Sequence, residues 1–396
     1  MDVTVAKKDL LRFVARAQAI ADKKSTMPVL SNVLLETTGK TGLSVSATDL
    51  YLSIAGTVAA EVRKGGSVAV PARDLLERVK AMPDGPLQLT SEAGGATVLR
   101  GSGTARRYTL RSQAAGEFPK LPRPAEDAAR FEIGANVLSA LIGHTQFSIS
   151  PDDTRPNLNS ALFEWQGDRV RMVTTDGHRL SKAELTVTPA AADATLLLPL
   201  KAVVELRRMA EEAGAEGKGE GKEGGKAEAK DAATSPGRPV VLTASGPNAF
   251  FEVGGALFGV KLVDAQFPSY QQVIPQQSER SARVPRLAFA DALRAVSLAA
   301  SERTGGVKLT LSKGLMRITS ESPESGDGLD EIPVDYAGKD VTIGFNAKYF
   351  LDVLGAMDDE DEVTLGFSGE LDPAVLRPAS ERPDRQYIAV IMPMRI

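Results

Sequence analysis

Apolar and polar positions follow two rhythms along this chain, and the same succession of rhythms occurs three times. The first is a strand-like residue leading into an apolar stripe of helical spacing: "VAKKDLLRFVARAQAIA" from Val5, "IGANVLSALIGHTQFSI" from Ile133 and "FADALRAVSLAAS" from Phe289. The second is an alternation of period two, through a turn and out again, which predicts paired strands: "SNVLLETTGKTGLSVSATDLYLSI" near 31, "LNSALFEWQGDRVRMVTTDGHRLSKAEL" near 158 and "VKLTLSKGLMRITSESPESGDGLDEIPV" near 307. The third is a short helix announced by an extended residue: "VPARDLLERVKAM" from Val70, "LPLKAVVELRRMA" from Leu198 and "FNAKYFLDVLGAM" from Phe345. Three motifs in one order, repeated three times, predict three similar α+β domains.

The helical starts are 128 and then 156 residues apart, and the excess is assigned to residues 211–238, "EEAGAEGKGEGKEGGKAEAKDAATSPGR". That stretch has no large apolar residue to offset its ordering entropy, so it is expected to be a disordered surface insertion inside the second domain. Proline-rich joints, "GEFPKLPRPAED" at 116–127 and "AQFPSYQQVIPQQSERSARVP" at 265–285, separate the repeats. The expected domains are 1–122, 129–268 and 280–396.

Composition narrows the chemistry. The chain has no cysteine and two histidines, which excludes disulfides, thiolate nucleophiles and Cys-based metal sites and disfavours a histidine-rich one. No apolar run reaches the roughly 18 residues a membrane helix needs, and "MDVTVAKKDL" is unlike a secretory signal, so a cytoplasmic protein is expected. A net charge of -4 means that any nucleic-acid contact comes from a local basic stripe. One candidate is the first helix, where Lys8, Arg12 and Arg16 recur every fourth residue, with Lys23 near the same direction, opposite Leu10, Phe13, Val14 and Ala17. An ordinary solvated face has the same spacing.

The segment "VTTDGHRLSKAEL" at 173–185 places an acid, a glycine, a histidine and an arginine in a row. Asp and Gly supply turn chemistry and alternation resumes after them. No paired nucleophile, phosphate loop or HExxH spacing accompanies His178, which is therefore expected at a turn or rim and not in catalysis. A repeat-built enzyme, a structural oligomer and a DNA binder that does not encircle are the competing classes.

In this order, "MPVLSN" at 27–32, "TDGHRL" at 175–180, "FPSY" at 267–270 and the terminal "IMPMRI" make the chain resemble the bacterial DNA polymerase III beta subunit family, the sliding clamps, over nearly its whole length outside the insertion. The resemblance implies an α+β fold of three repeated clamp domains, with helices lining the inside, antiparallel sheets outside, and a head-to-tail dimeric ring. It implies a non-catalytic processivity factor that needs no cofactor and slides on double-stranded DNA without sequence preference. Its partners would be the replicative polymerase alpha subunit, the clamp loader and other clamp-motif proteins, including repair polymerases, ligase and mismatch repair. Lys24, Arg73 and Lys201 stand in resembling DNA-facing positions. A peptide groove would be formed by Leu158, Thr175, Gly177, His178, Arg179, Leu180, Pro268 and Val273. Asn346, Tyr349, Val390, Ile391, Met392, Pro393, Met394 and Arg395 would complete it, its His, Arg and Asn residues serving polar groups of the ligand. The dimer contact would set Arg106, Arg107, Tyr108 and Leu110 against Leu298, Glu324, Asp327, Asp330 and Glu331. Gln272, Thr304 and Pro156-Asn157 depart from the family pattern.

Overall fold

A computed structural model of the chain describes residues 1–22, 25–92, 95–190, 192–216, 237–301, 304–380 and 382–395. The first repeat contains β1 (Asp2–Ala6), α1 (Lys7–Ile20), β2 (Asn32–Thr38), β3 (Gly42–Thr48), β4 (Leu52–Lys64), β5 (Ser67–Pro71), α2 (Ala72–Ala81), β6 (Pro86–Glu92), β7 (Ala96–Gly101) and β8 (Arg107–Arg111). The second has β9 (Ala129–Gly134), α3 (Ala135–Thr145), β10 (Ser160–Gln166), β11 (Arg169–Thr175), β12 (Arg179–Thr186), β13 (Ala194–Pro199), α4 (Leu200–Glu216), β14 (Pro239–Ser245), β15 (Asn248–Val253) and β16 (Ala256–Lys261). The third has β17 (Arg280–Pro285), α5 (Arg286–Ser297), β18 (Gly306–Ser312), β19 (Leu315–Ser322), β20 (Gly326–Pro333), β21 (Val341–Asn346), α6 (Ala347–Ala356), β22 (Glu362–Phe367), β23 (Ala374–Pro378) and β24 (Arg385–Ile391). The three are one α+β unit written three times.

The pairing repeats as faithfully as the order. In each copy the second to fifth strands form one antiparallel set, β5-β2-β3-β4, β13-β10-β11-β12 and β21-β18-β19-β20. The first and last three form another, β1-β6-β7-β8, β9-β14-β15-β16 and β17-β22-β23-β24. Two ladders then join one repeat to the next. β4 pairs antiparallel with β16, from Leu52 opposite Val260 to Gly56 opposite Ala256. β12 pairs with β24 in the same sense, from Arg179 opposite Ile391 to Leu185 opposite Arg385.

The chain divides into two compact units, Met1–Asn136 with Arg208–Leu262, and Val137–Arg207 with Val263–Ile396. In the first, α1 buries Leu10, Phe13, Val14, Ala17 and Ile20, each large side chain contributing roughly 1.5–3 kcal/mol by leaving water. β4 passes so close beneath it that a Cβ on Gly56 would lie 1.8 Å from the Phe13 ring, so only glycine fits. In the second unit, Phe289 and Phe350 are fully buried and meet edge to face at 5.5 Å.

Two expectations about the repeat need correction. The third counterpart of Val5 and Ile133 is Val284, two residues before α5, and not Phe289, so the second interval is 151 residues. Phe289 is instead a core residue of the helix's first turn, the counterpart of Leu10; both are 0 % exposed. The insertion also begins later than expected, because α4 continues through residues 211–216. Alanines permit this, since Ala210 and Ala213 are buried on one face. Residues 217–236 lie outside the described residues.

Candidate functional site

The groove expected around the second repeat starts from a turn that its own side chains satisfy. Between β11 and β12, Thr175 Oγ1 donates to the Arg179 carbonyl at 2.7 Å and accepts from the Gly177 amide at 3.1 Å. Asp176 Oδ1 accepts from the amides of His178 and Arg179 at 2.9 and 3.0 Å. The first repeat builds the same turn from Thr48 and Asp49: Thr48 Oγ1 donates to the Leu52 carbonyl at 2.8 Å, and Asp49 Oδ1 accepts from Tyr51 N at 2.9 Å and Leu52 N at 2.6 Å. Gly177 has φ 92° and Leu50, its counterpart, φ 77°. The turn demands a left-handed residue, and the first repeat meets it with a strained leucine.

Beside this turn a cavity of about 330 Å³ brings together Leu158, Thr175, Gly177, Arg179, Leu180, Pro268, Val273, Val390 and Met392, all expected, with Asn157 and Tyr270 in addition. Its floor is Leu180, Val390 and Tyr270, all buried, while Val273 and Met392 stand 43 % and 38 % exposed at the rim. An open apolar pocket with adaptable rim side chains suits an inserted leucine or phenylalanine. Tyr270, missed in the sequence, fixes the linker that carries Pro268 and Val273: its hydroxyl donates to Glu164 Oε2 at 3.1 Å and accepts from Arg171 at 3.5 Å. The signal for it is its place in "FPSY", where an aromatic closes a stretch opened by Phe-Pro.

The other expected groove residues do different work. Arg179 is buried and committed: it bonds Asp176 at 3.0 Å, Asp352 at 2.6 Å and the Phe147 carbonyl, with its guanidinium 4.6 Å from the Tyr349 ring centre. Three of its five N–H donors hold the turn to α6, so it stands in the cavity wall as a fixed side chain. Asn346 caps α6, accepting from Lys348 N at 2.9 Å and donating to the Thr304 carbonyl at 3.0 Å, so it too is occupied. Ile391 points to the opposite face from Val390 and is fully buried. His178 is exposed and stacks on Tyr349, ring centres 6.5 Å apart. The tail is stapled by Met392 N to the His178 carbonyl at 2.9 Å and Met394 N to the Gly344 carbonyl at 2.8 Å. Pro393 is half-buried and Arg395 exposed beyond the cavity wall.

The basic stripe on α1 breaks down at its third member. Lys8 is exposed and Arg12 half-buried, but Arg16 is 0 % exposed. Arg16 pairs with Glu212 of α4 at 2.9 Å and donates to the Gly254 carbonyl at 3.1 Å, so it joins repeats and does not face solvent. Lys23 and Lys24 lie outside the described residues. Arg73 and Lys201 are both exposed, and both occupy the second position of a helix, in α2 and α4. Lys348 holds that position in α6, its side chain 72 % exposed beside Asp352 at 3.1 Å, and the sequence pattern alone did not single it out. A cation at a helix N-terminus opposes the helix dipole by roughly 0.3–1 kcal/mol, so its recurrence there does not serve the helix.

At the edges, exposed Arg106 precedes β8, which presents exposed Arg107 and half-buried Tyr108, whereas Leu110 is 2 % exposed and belongs to its own core. On the other side Leu298 is 83 % exposed, and Leu329 of β20, missed in the sequence, is 60 % exposed. Glu324 and Asp327 are open, Asp330 is half-buried, and Glu331 is held by Arg317 at 2.7 Å. Among the described residues no cluster of acids and histidines could hold a metal ion, and no helix is long and apolar enough to cross a membrane.

Comparison with known proteins gives three matches to family models: the N-terminal domain of the DNA polymerase III beta subunit over residues 1–122, its central domain over 132–217 and its C-terminal domain over 271–395. The chain is 31 % identical to the beta sliding clamp of Caulobacter vibrioides and 28 % identical to that of Escherichia coli K12, with both chains covered completely in each case. Among solved structures, a Pseudomonas aeruginosa sliding clamp bound to griselimycin matches with a TM-score of 0.87 at 29 % identity over the whole of both chains. The Caulobacter crescentus clamp, with polyethylene glycol bound at what is proposed as its beta-motif tethering region, matches with a TM-score of 0.86 at 30 % identity, again over both full lengths.

Proposed function

The chain belongs to the DNA polymerase III beta subunit family, the beta sliding clamps, and we propose that two copies close head to tail into a ring around duplex DNA. It is a processivity factor and a non-catalytic subunit of the polymerase. The observation that carries the ring is the repeated ladder. β4 joins β16 and β12 joins β24, while β20, the third strand of that kind, and β8, the third of the other, each have one neighbour among the described residues. A second copy's β8 completes β20 by the same antiparallel pairing. Arg106 and Arg107 then face Glu324, Asp327 and Asp330, with Leu298 and Leu329 between them; Glu331 and Tyr108 flank the contact.

The repeats correspond to domains 1–122, 129–268 and 280–396, with helices toward the DNA and sheets outside. Lys8, Arg12, Lys24, Arg73, Lys201 and Lys348 contact phosphates, which gives salt-dependent binding without base readout. The cavity at Leu180, Val390 and Met392 takes apolar anchors of peptides from the polymerase alpha subunit, the clamp loader, repair polymerases, ligase and mismatch-repair proteins. Its place of action is the cytoplasm. The test is topological: protein loaded on nicked circular DNA should remain bound, and linearising the circle should release it. Retention on linear DNA would overturn encirclement.

A further inference from the structure

Next to the groove lies a second and larger cleft, about 690 Å³, whose wall carries Lys182, Arg377, Arg382 and Arg385 and no carboxylate. Part of its wall lies on the same face of the same two strands, where Lys182, Gln386 and Ile388 stand, while Arg385 and Tyr387 alternate to the other face. Leu180 and Val390 are opposite each other in the groove, and Lys182 and Ile388 are the next pair along that face. At roughly 3.3 Å per strand residue the step is about 6–7 Å. Ile274 borders the cleft and packs against the groove's apolar cluster.

The cations are not a loose surface scatter. Arg382 and Arg385 are fixed from behind by Asp359 at 3.0 and 2.6 Å, and Glu360, 5 % exposed, pairs with Arg382 at 2.9 Å. Lys182 lies 3.4 Å from Glu184. Arg377 is exposed and has no ion-pair partner among the described residues.

The repeat supplies an internal comparison. The corresponding cleft at the ladder between β4 and β16, about 760 Å³, has Ala55 where the second has Lys182, Gly254 where it has Arg385 and Glu252 where it has Arg377. The shape belongs to the architecture; the first cleft's wall carries one cation, Arg123, against one acid, Glu252, whereas the cleft adjoining the groove carries four cations and no acid.

We infer that this cleft is an anion-recognising extension of the groove, taking aspartate or glutamate side chains of the same partner peptide two to four residues from its apolar anchor; this rests on the groove reading above. Continuity along one strand face selects a peptide over nucleic acid, since a ligand leaving the apolar pocket reaches Lys182 within one such step. Arg377 supplies the unengaged charge, and the fixed guanidiniums of Arg382 and Arg385 present their remaining N–H donors to a carboxylate.

The test uses the full chain and two fluorescent peptides with identical leucine and phenylalanine anchors, one flanked by alanines and one by glutamates, read by anisotropy. The glutamate peptide should bind about fivefold tighter at low salt, and Arg377→Ala should remove that advantage without changing the alanine peptide. Arg377→Glu should reverse the preference. Equal affinity of both peptides for the unaltered protein would overturn the inference while leaving the groove intact. An Arg377→Ala effect confined to retention on DNA, with peptide binding unchanged, would overturn it in favour of a phosphate contact. Failure of both peptides to bind would bring down the groove reading and this extension with it.

Discussion

Arg16 carries a full charge where water does not reach, and what makes this tolerable is a carboxylate and a carbonyl delivered from a segment far along the chain. Removing the acid strands the buried guanidinium, whereas Glu212 itself is partly exposed and also paired with Arg208. Glu212→Ala should therefore lower stability by about 3 kcal/mol in urea unfolding, with DNA retention altered no more than stability accounts for. The spacing of Lys8, Arg12 and Arg16 gives a correct angle and a wrong environment, because periodicity places a residue on its own helix and says nothing of what packs against it. His144 is a second case of environment over type. Burial lowers its pKa below the usual 6.5, outweighing the hydrogen bond to the Ala140 carbonyl that raises it, and Arg385 pushes it further down while Asp359 and Asp358 raise it. Tyr387 covers its ring at 5.1 Å. The unfolded chain thus binds the proton more readily, so this contribution to stability is whole above about pH 6.5 and shrinks as pH falls through the lowered value. Urea midpoints compared at pH 7.5 and 5.5 should show a drop that His144→Leu flattens.

At the scale of elements, the order strand, helix, four strands, helix, three strands is legible because each element carries its own period and each turn its own chemistry. "TDLY" and "TDGH" close the same hydrogen bonds in two repeats. The pattern places the extended residue before α5 five positions late, because Phe289 is as apolar as the strand residue sought, and only packing distinguishes a helix's core position from the strand residue that precedes it. The cavity floor is legible where residues alternate in a strand, as at Leu180 and Val390; the intramolecular partners of Arg179 and Asn346 are not, because they arrive through tertiary folding. The edge strands carry a prediction. Arg106→Glu with Arg107→Glu leaves the core residue Leu110 untouched and sets like charges against Asp327 and Asp330, so light scattering should find monomers. A dimer mass at micromolar concentration would contradict the pairing of β8 with β20.

For the whole molecule, an acidic total and the proposed DNA contact are compatible if cations are concentrated locally, and the second position of α2, α4 and α6 is where they recur. Changing Arg73, Lys201 and Lys348 to Glu together should shorten retention on circular DNA and reduce the slope of log affinity against log salt by about 0.9 for every phosphate no longer neutralised. The proposed dimer should persist, because none of the three lies at an edge strand.

The ladders between repeats are alike in hydrogen bonding but unlike in tether. Where β4 meets β16 and β12 meets β24, a continuous backbone keeps the strands at high effective concentration, so a ladder that frays re-forms at once. In the proposed dimer, the seam between two molecules has no such leash. Dilution or an applied pull should therefore part β8 from β20, at either of the two equivalent seams, before any tethered ladder yields.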